Sequence, residues 1–246
     1  MKEFLHERSG ATLQARGQGP GNQVPSLVSI ASSRASAAAA ARVIRDGPVG
    51  EGPRRALDEV LASQDDGDLF RRGLKNERAY ALTSVREMSG SIFWLKGWML
   101  NNLTLMFLDL FDEELKRADL PFPQAKAPAA PSLVDGYWHP LKPLATLLRP
   151  AIESFRQAVE RNRAAIRALR VLNALQARVP ADAASPPALD GLGLPREATL
   201  DPFTGSPLIV KKLPTGWLVY SVGTDLADDG GDLEKDRDVG FGPEAR

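Results

Sequence analysis

The run AIESFRQAVERNRAAIRALRVLNALQAR, residues 151–178, constrains this chain more than any other stretch. Ile152, Phe155, Val159, Ile166, Leu169 and Leu172 recur at helical spacing, so one face of a helix is apolar and must be covered. At 1.5 Å per residue that helix would extend about 42 Å. Pro150 in front of it and Val179-Pro180 behind it read as its ends. Glu153 with Arg156 or Gln157, and Glu160 with Arg163, read as local surface pairs. The series Arg161, Arg163, Arg167 and Arg170 reads as a solvated face. No aromatic side chains interleave with it and no docking motif accompanies it, so it predicts no nucleic-acid partner.

After this helix comes a Pro/Gly/Ala connector, ADAASPPALDGLGLPREATL, and then the turn-like DPFTG. Residues 208–213 and 217–222 read as strands. Pro214-Thr215-Gly216 is expected to join them as a three-residue loop, with Gly216 supplying backbone freedom. One hairpin alone is marginal in water. It is expected to lie against the long helix just before it.

The rest of the chain is predicted to be helical. Residues 1–25 read as a polar leader, and their RGQGPGN lacks the strand before and the Lys-Ser/Thr after that a phosphate loop requires. Ser26 is a suitable N-cap for an alanine-rich helix that stops at Gly47-Pro48. A second helix starts near Pro53 with Leu57, Val60 and Leu61 as its stripe. A third, 74–88, presents Tyr80, Leu82, Val85 and Met88. Residues 92–115 form an apolar fourth. Its core IFWLKGWMLNNLTLMFL carries Lys96, Asn101 and Asn102, whereas a membrane span needs about 20 mainly apolar residues. A helix packed in a core or on a partner is expected, with membrane proximity as the lesser reading. Prolines then punctuate a loop of more than twenty residues, as at a boundary. The organisation read from this is a leader 1–25, a helical region 26–120, a connector 121–149, and a C-terminal unit 150–246. The fold class is mainly α with a small C-terminal antiparallel β-hairpin, α+β.

Composition excludes more than it selects. Basic and acidic residues number 31 each and cancel, so no global field attracts nucleic acid or an anionic membrane. The chain has no cysteine, which removes disulfides, thiolate metal sites and thiol nucleophiles. Its two histidines, His6 and His139, are too few and too far apart for zinc, and no GxSxG elbow is present. Catalysis by paired carboxylates such as Asp228 with Asp229 has no support from adjacency alone. The start, MKEFLHERSG, shows no apolar leader.

One segment does suit an ion. GTDLADDGGDLEKDRD places seven carboxylates between Asp225 and Asp238. Calcium takes six to eight oxygens from carboxylates, carbonyls and water, and glycines let a short loop wrap around it. The spacing is not that of an EF-hand. Two readings stay open on the residues alone: an ion loop and a solvated acidic end.

This C-terminal third resembles the major pseudopilins of type II secretion systems. The matching pieces are LPREATLDPFTGSPL, then GWLVYSVGTD, then DDGGDLEKDRDV, behind a long helix and a Pro-containing connector. The likeness spans roughly residues 151–240. It implies a calcium-binding loop that orders the C-terminal β region. By position it implies Asp225 as the aspartate after Ser-x-Gly, Asp236 and Asp238 as a D-x-D pair, and Asp228 as a further ligand without a fixed counterpart. Val239 stands where the family has Ile. The whole layout, with its helical N-terminal region, also resembles a second group of bacterial proteins that share the DPFTGxPL…DDGG ending, and that likeness implies no activity. The expectation is a non-enzymatic structural or interaction protein, at the cell envelope by resemblance, with protein partners or self-association and no small-molecule substrate identified. The alternative is an enzyme or ligand binder with a site between the N-terminal helices near Glu77, Arg78, Tyr80 and Trp94.

Overall fold

The computed structural model describes residues 26–45, 50–88, 96–125, 142–179, 183, 185–186, 188–233 and 237–243. The leader 1–25 with RGQGPGN and His6, the stop at Gly47-Pro48, Trp94, the Tyr137-Trp138-His139 stretch, Pro180 and Asp236 lie outside them. Among the described residues six helices come in order: α1 Ser26–Arg45, α2 Glu51–Gln64, α3 Leu69–Met88, α4 Lys96–Arg117, the four-residue α5 Phe122–Ala125, and α6 Lys142–Arg178. Two 3-10 turns, Leu189–Leu192 and Arg196–Thr199, lead to β1 Ile209–Leu213, β2 Gly216–Ser221 and β3 Val239–Phe241. The protein is mainly helical, with one antiparallel sheet in the order β1-β2-β3. Among the described residues no helix is long and apolar enough to cross a membrane.

The long helix is longer than its sequence suggests. It begins at Lys142, and Pro150 lies inside it. Proline removes one ladder bond and crowds the carbonyl a turn earlier. Tertiary contact offsets that here: Leu148 packs against Val85, Leu103 and Met106, which holds the segment before the proline in place. Ser154 Oγ donates to the Pro150 carbonyl at 2.8 Å.

α6 is the axis of the molecule. Ile166, Leu169, Leu172 and Leu175 share one cluster with Ala37, Ala41 and Ile44 of α1, Leu61 of α2, and Trp217 and Val219 of β2. Nearer its start, Val159 and Phe155 meet Phe70 and Leu74 of α3 and Phe111 of α4. The expected stripes mostly hold, with two clear misses: Val60 and Tyr80 are 51% and 73% exposed, so α2 seats itself through Leu57 and Leu61 and α3 through Phe70, Leu74 and Val85.

The arginine face is not solvated. Arg167 and Arg170 are 7% and 6% exposed. Arg170 Nε and Nη2 grip both oxygens of Asp58 at 2.7 and 3.1 Å. Arg163 and Arg167 share the two oxygens of Asp65 at 3.2 and 2.8 Å. A guanidinium can be buried where a carboxylate and a carbonyl use its donors, and periodicity within α6 cannot show that α2 brings the carboxylates. The nearer pairs do form: Gln157 Nε2 donates to Glu153 at 3.0 Å, and Arg163 meets Glu160 at 3.0 Å. Arg156 instead donates to the Arg117 and Leu120 carbonyls and lies over the Phe70 and Phe122 rings.

The hairpin lies on α6 as expected, with two differences. Leu213 pairs with Gly216, so the connection is the two-residue Pro214-Thr215, with Gly216 at φ 150° opening β2. The sheet also has a third strand directly after the acidic segment: Val219 pairs with Phe241 and Ser221 with Val239.

Candidate functional site

The DPFTG turn is built around Asp201, which is 3% exposed. Its Oδ1 accepts the Phe203 amide and the Ser221 hydroxyl, each at 2.8 Å, and its Oδ2 accepts the Val222 amide at 3.2 Å. Asp201 N donates to Ser206 O at 2.7 Å, and Gly205 N returns to Asp201 O at 2.8 Å. Gly205 closes the turn at φ 73°, a conformation that favours glycine. The turn thereby points Phe203 inward. Its ring is fully buried and meets Phe122 edge-on, 4.8 Å between centroids. Arg167 Nη1 donates to the Leu200 carbonyl at 2.9 Å, so the same guanidinium that holds Asp65 also holds the entry to this turn.

β2 is covered on both faces. Trp217 and Val219 face α6, as the alternation of a strand requires. Leu218 and Tyr220 face the other way, and the acidic loop lies over them. Gly231, at φ 86°, sits so close that a Cβ there would meet Leu218 Cδ2 at 2.4 Å. Gly223, at φ 73°, passes so near the returning chain that a Cβ would meet the Arg237 carbonyl oxygen at 1.9 Å. Lys211 Nζ donates to Gly230 O at 2.9 Å, and Arg237 pairs with Asp229 at 3.1 Å. The acidic segment is thus a cover laid across the sheet, with Gly223 standing where backbone meets backbone and Gly231 where it meets the core.

The carboxylates of that cover have separate employments. Asp225 Oδ1 accepts the Ala227 amide at 3.2 Å in a local turn. Asp228 Oδ1 accepts the Tyr220 hydroxyl and the Gly230 amide, both at 2.9 Å. Asp238 is 3% exposed, with Oδ2 accepting the Gly231 amide at 2.7 Å. Its Oδ1 is buried with no hydrogen-bond partner among the described residues. Burial pushes the Asp238 carboxyl above 3.8, with the Asp228 charge adding to the shift and the Gly231, Asp229 and Asp232 amides opposing it. Burial also pushes the Tyr220 phenol up, helped by its bond to Asp228 and by the charges of Asp228 and Asp238. Asp228 and Asp238 therefore act on one hydroxyl, while Asp225 is engaged elsewhere. Among the described residues no three His, Cys, Asp or Glu side chains converge as a metal group. The orphaned Asp238 Oδ1 still suits a cation, since a buried carboxylate oxygen without a donor is unfavourable.

A polar cavity adjoins Asp238. About 320 Å³ in volume, it opens between α1, α6 and β3 and includes Arg34, Arg161, Asn162 and Phe241 in its wall. Sequence reading named Arg161 only as part of a solvated face and singled out none of the others. No local motif marks them, because they meet only when three distant segments pack.

The alternative site near the N-terminal helices is not gathered in this way. Arg78 pairs with Asp112 at 2.7 Å, Glu77 is exposed, and Tyr80 is 73% exposed. Comparison with known proteins adds no name to these features: no protein-family model, no curated protein and no solved structure matches the chain.

Proposed function

We propose that this is a non-enzymatic structural or interaction protein, whose C-terminal module resembles the end of a major pseudopilin and whose acidic loop is ordered by calcium. The observation that carries the reading is the buried, unpartnered Oδ1 of Asp238 in a loop that covers one whole face of β2. A divalent cation held by Asp238 and Asp228, with Asp236 and loop carbonyls as further oxygens, would offset that charge and fasten β3 to the sheet. Asp225 is the weakest member of the set, since its Oδ1 already holds the Ala227 amide. The cell envelope is the location that the resemblance implies for such a protein.

An interaction role has separate support from α4. Trp98 and Leu105, seven residues apart and so on one side of that helix, are 64% and 46% exposed. Large apolar side chains left at solvent on one helix side are a common mark of partner contact.

Thermal melting of the full chain in EDTA, then with millimolar calcium, tests the ion. A ligand that binds only the folded state at a hundred times its dissociation constant adds about 2.7 kcal/mol. The expected result is a rise in Tm with calcium that Asp228→Asn and Asp238→Asn each abolish. An unchanged Tm would remove calcium from the reading.

A further inference from the structure

Among the described residues Leu226 is the one non-glycine residue with a positive φ, at 66°. That conformation brings Cβ too close to the following carbonyl oxygen. Strain of this kind persists only where the surroundings over-determine it. Two contacts do so here. Asp225 Oδ1 accepts the Ala227 amide at 3.2 Å, which closes a turn around Leu226. The Leu226 side chain packs against the buried cluster of Phe122, Ala164 and Phe203.

The same cluster takes Val239. Leu226 stands two residues before Asp228, and Val239 directly follows Asp238. Each of the two carboxylates assigned to the ion thus has an apolar anchor beside it, and both anchors rest on one cluster. Whatever draws Asp228 and Asp238 together presses Leu226 and Val239 onto that cluster. Without a cation the two carboxylates repel each other, and the backbone strain at Leu226 acts in the same direction. Apolar burial opposes both. A ligand with a preference for one arrangement can tip such a balance.

The far side of the cluster belongs to the helical region. Phe122 lies on α5, outside the residues 151–240 that carry the pseudopilin likeness, and it meets Phe203 edge-on at 4.8 Å. The amides of Gln124 and Ala125 both bond to the Pro121 carbonyl at 3.0 Å, so opening of α5 has a direct readout.

We propose that Leu226 is a latch through which calcium at Asp228 and Asp238 controls the seating of α5. The latch rests on the calcium reading and extends it from the β region to the helical region. With the carboxylates held together, Leu226 stays on the Phe122–Phe203 pair and α5 is fixed. When they separate, Leu226 relaxes to ordinary backbone, leaves the pair, and α5 loosens.

Hydrogen exchange of the full chain followed by NMR, in EDTA and with millimolar calcium, tests this alongside thermal melting. The expected result is a rise in Tm with calcium together with exchange of the Gln124 and Ala125 amides slowed at least about fivefold. Leu226→Asn tolerates the left-handed backbone but offers no apolar contact. It should keep the calcium-dependent rise in Tm, while Gln124 and Ala125 exchange at one rate with and without the ion. Leu226→Met keeps the apolar bulk and should keep the response. A wild-type chain whose Tm rises while α5 exchange stays the same would overturn the latch and leave the calcium reading standing. So would an α5 response that persists in Leu226→Asn, or a Leu226→Asn chain that no longer responds to calcium at all. No rise in the wild-type Tm would overturn both, so the two failures are told apart.

Discussion

Asp201 Oδ1 accepts the Ser221 hydroxyl at 2.8 Å across twenty residues of chain. This bond joins the turn before the sheet to the end of its central strand. Ser221 is fully buried, and its Oγ also accepts the Gly223 amide at 3.2 Å. One carboxylate and one hydroxyl thus fix where the DPFTG turn, β2 and the start of the acidic cover meet.

Asp201→Ala should therefore be among the most damaging single changes in the C-terminal unit. It strands the buried Phe203 and Val222 amides together with the Ser221 hydroxyl. Each stranded buried donor costs about 1–3 kcal/mol, so a loss of roughly 3–5 kcal/mol in urea denaturation is expected. Ser221→Ala leaves Asp201 its two amide donors and should lose only about 1 kcal/mol.

Gly223→Ala tests whether the acidic segment is a fixed cover. The residue has φ 73°, and the added Cβ would fall 1.9 Å from the Arg237 carbonyl oxygen. No side-chain rotation relieves a clash with backbone. The expected outcome is separation of β3 from β2, with a loss of more than about 2 kcal/mol. Hydrogen exchange at the β2–β3 pairs should accelerate, and the helical circular dichroism should stay as in the wild type. Unchanged exchange would mean that β3 is not held by this crossing.

The Asp65 pairs should behave as buried ones. The side chains of Asp65 and Arg167 are each 9% exposed. Asp65→Ala leaves Arg163 and Arg167 facing a missing carboxylate and should cost about 3–5 kcal/mol. Adding Arg167→Met removes one stranded charge while keeping its bulk. The double variant should recover a substantial part of the loss in urea midpoints. Strict additivity of the two changes would show that the pair is not coupled.

Glu160 gives the stability a pH dependence of definite sign. Burial pushes its carboxyl above 4.5, against the opposing charges of Arg163, Arg156 and Arg167. Burial also works against the charge of Arg163, but Glu160 and Asp65 outweigh it and raise that group. The folded chain thus holds the Glu160 proton more tightly than the unfolded chain. Its contribution is greatest in acid and is lost as pH rises from 4.5 through the raised value. Glu160→Gln keeps an acceptor for Arg163 and removes this titration. Its unfolding midpoint, compared with the wild type, should improve between about pH 4 and about pH 7. A variant that loses ground over that interval would reverse the assignment.

Much of the fold was legible along the chain because its signals are local. The alanine-rich α1, the apolar stripe of α6 and the two strands around Pro214-Thr215 follow from spacing and residue type. The end of α6 at Arg178 agrees with Val179-Pro180, but its start does not agree with Pro150. A proline opposes helix only until tertiary packing, here of Leu148, outweighs one lost bond. The candidate site was legible only in part. The acidic segment marked itself by composition, yet the separate employments of Asp225, Asp228 and Asp238 depend on how the loop crosses β2.

Sequence by itself determined the helical class, the hairpin and the burial of one face of α6, since period and turn chemistry are written in neighbouring residues. Only tertiary structure decided that the arginine face is buried too, because the carboxylates of Asp58 and Asp65 arrive from α2 and its following turn. It also made a third strand of the residues just after a charge cluster and set Asn162 and Asp238 in the lining of one cavity. Those outcomes depend on which distant groups satisfy a buried donor or acceptor, and no periodicity within a single segment records that.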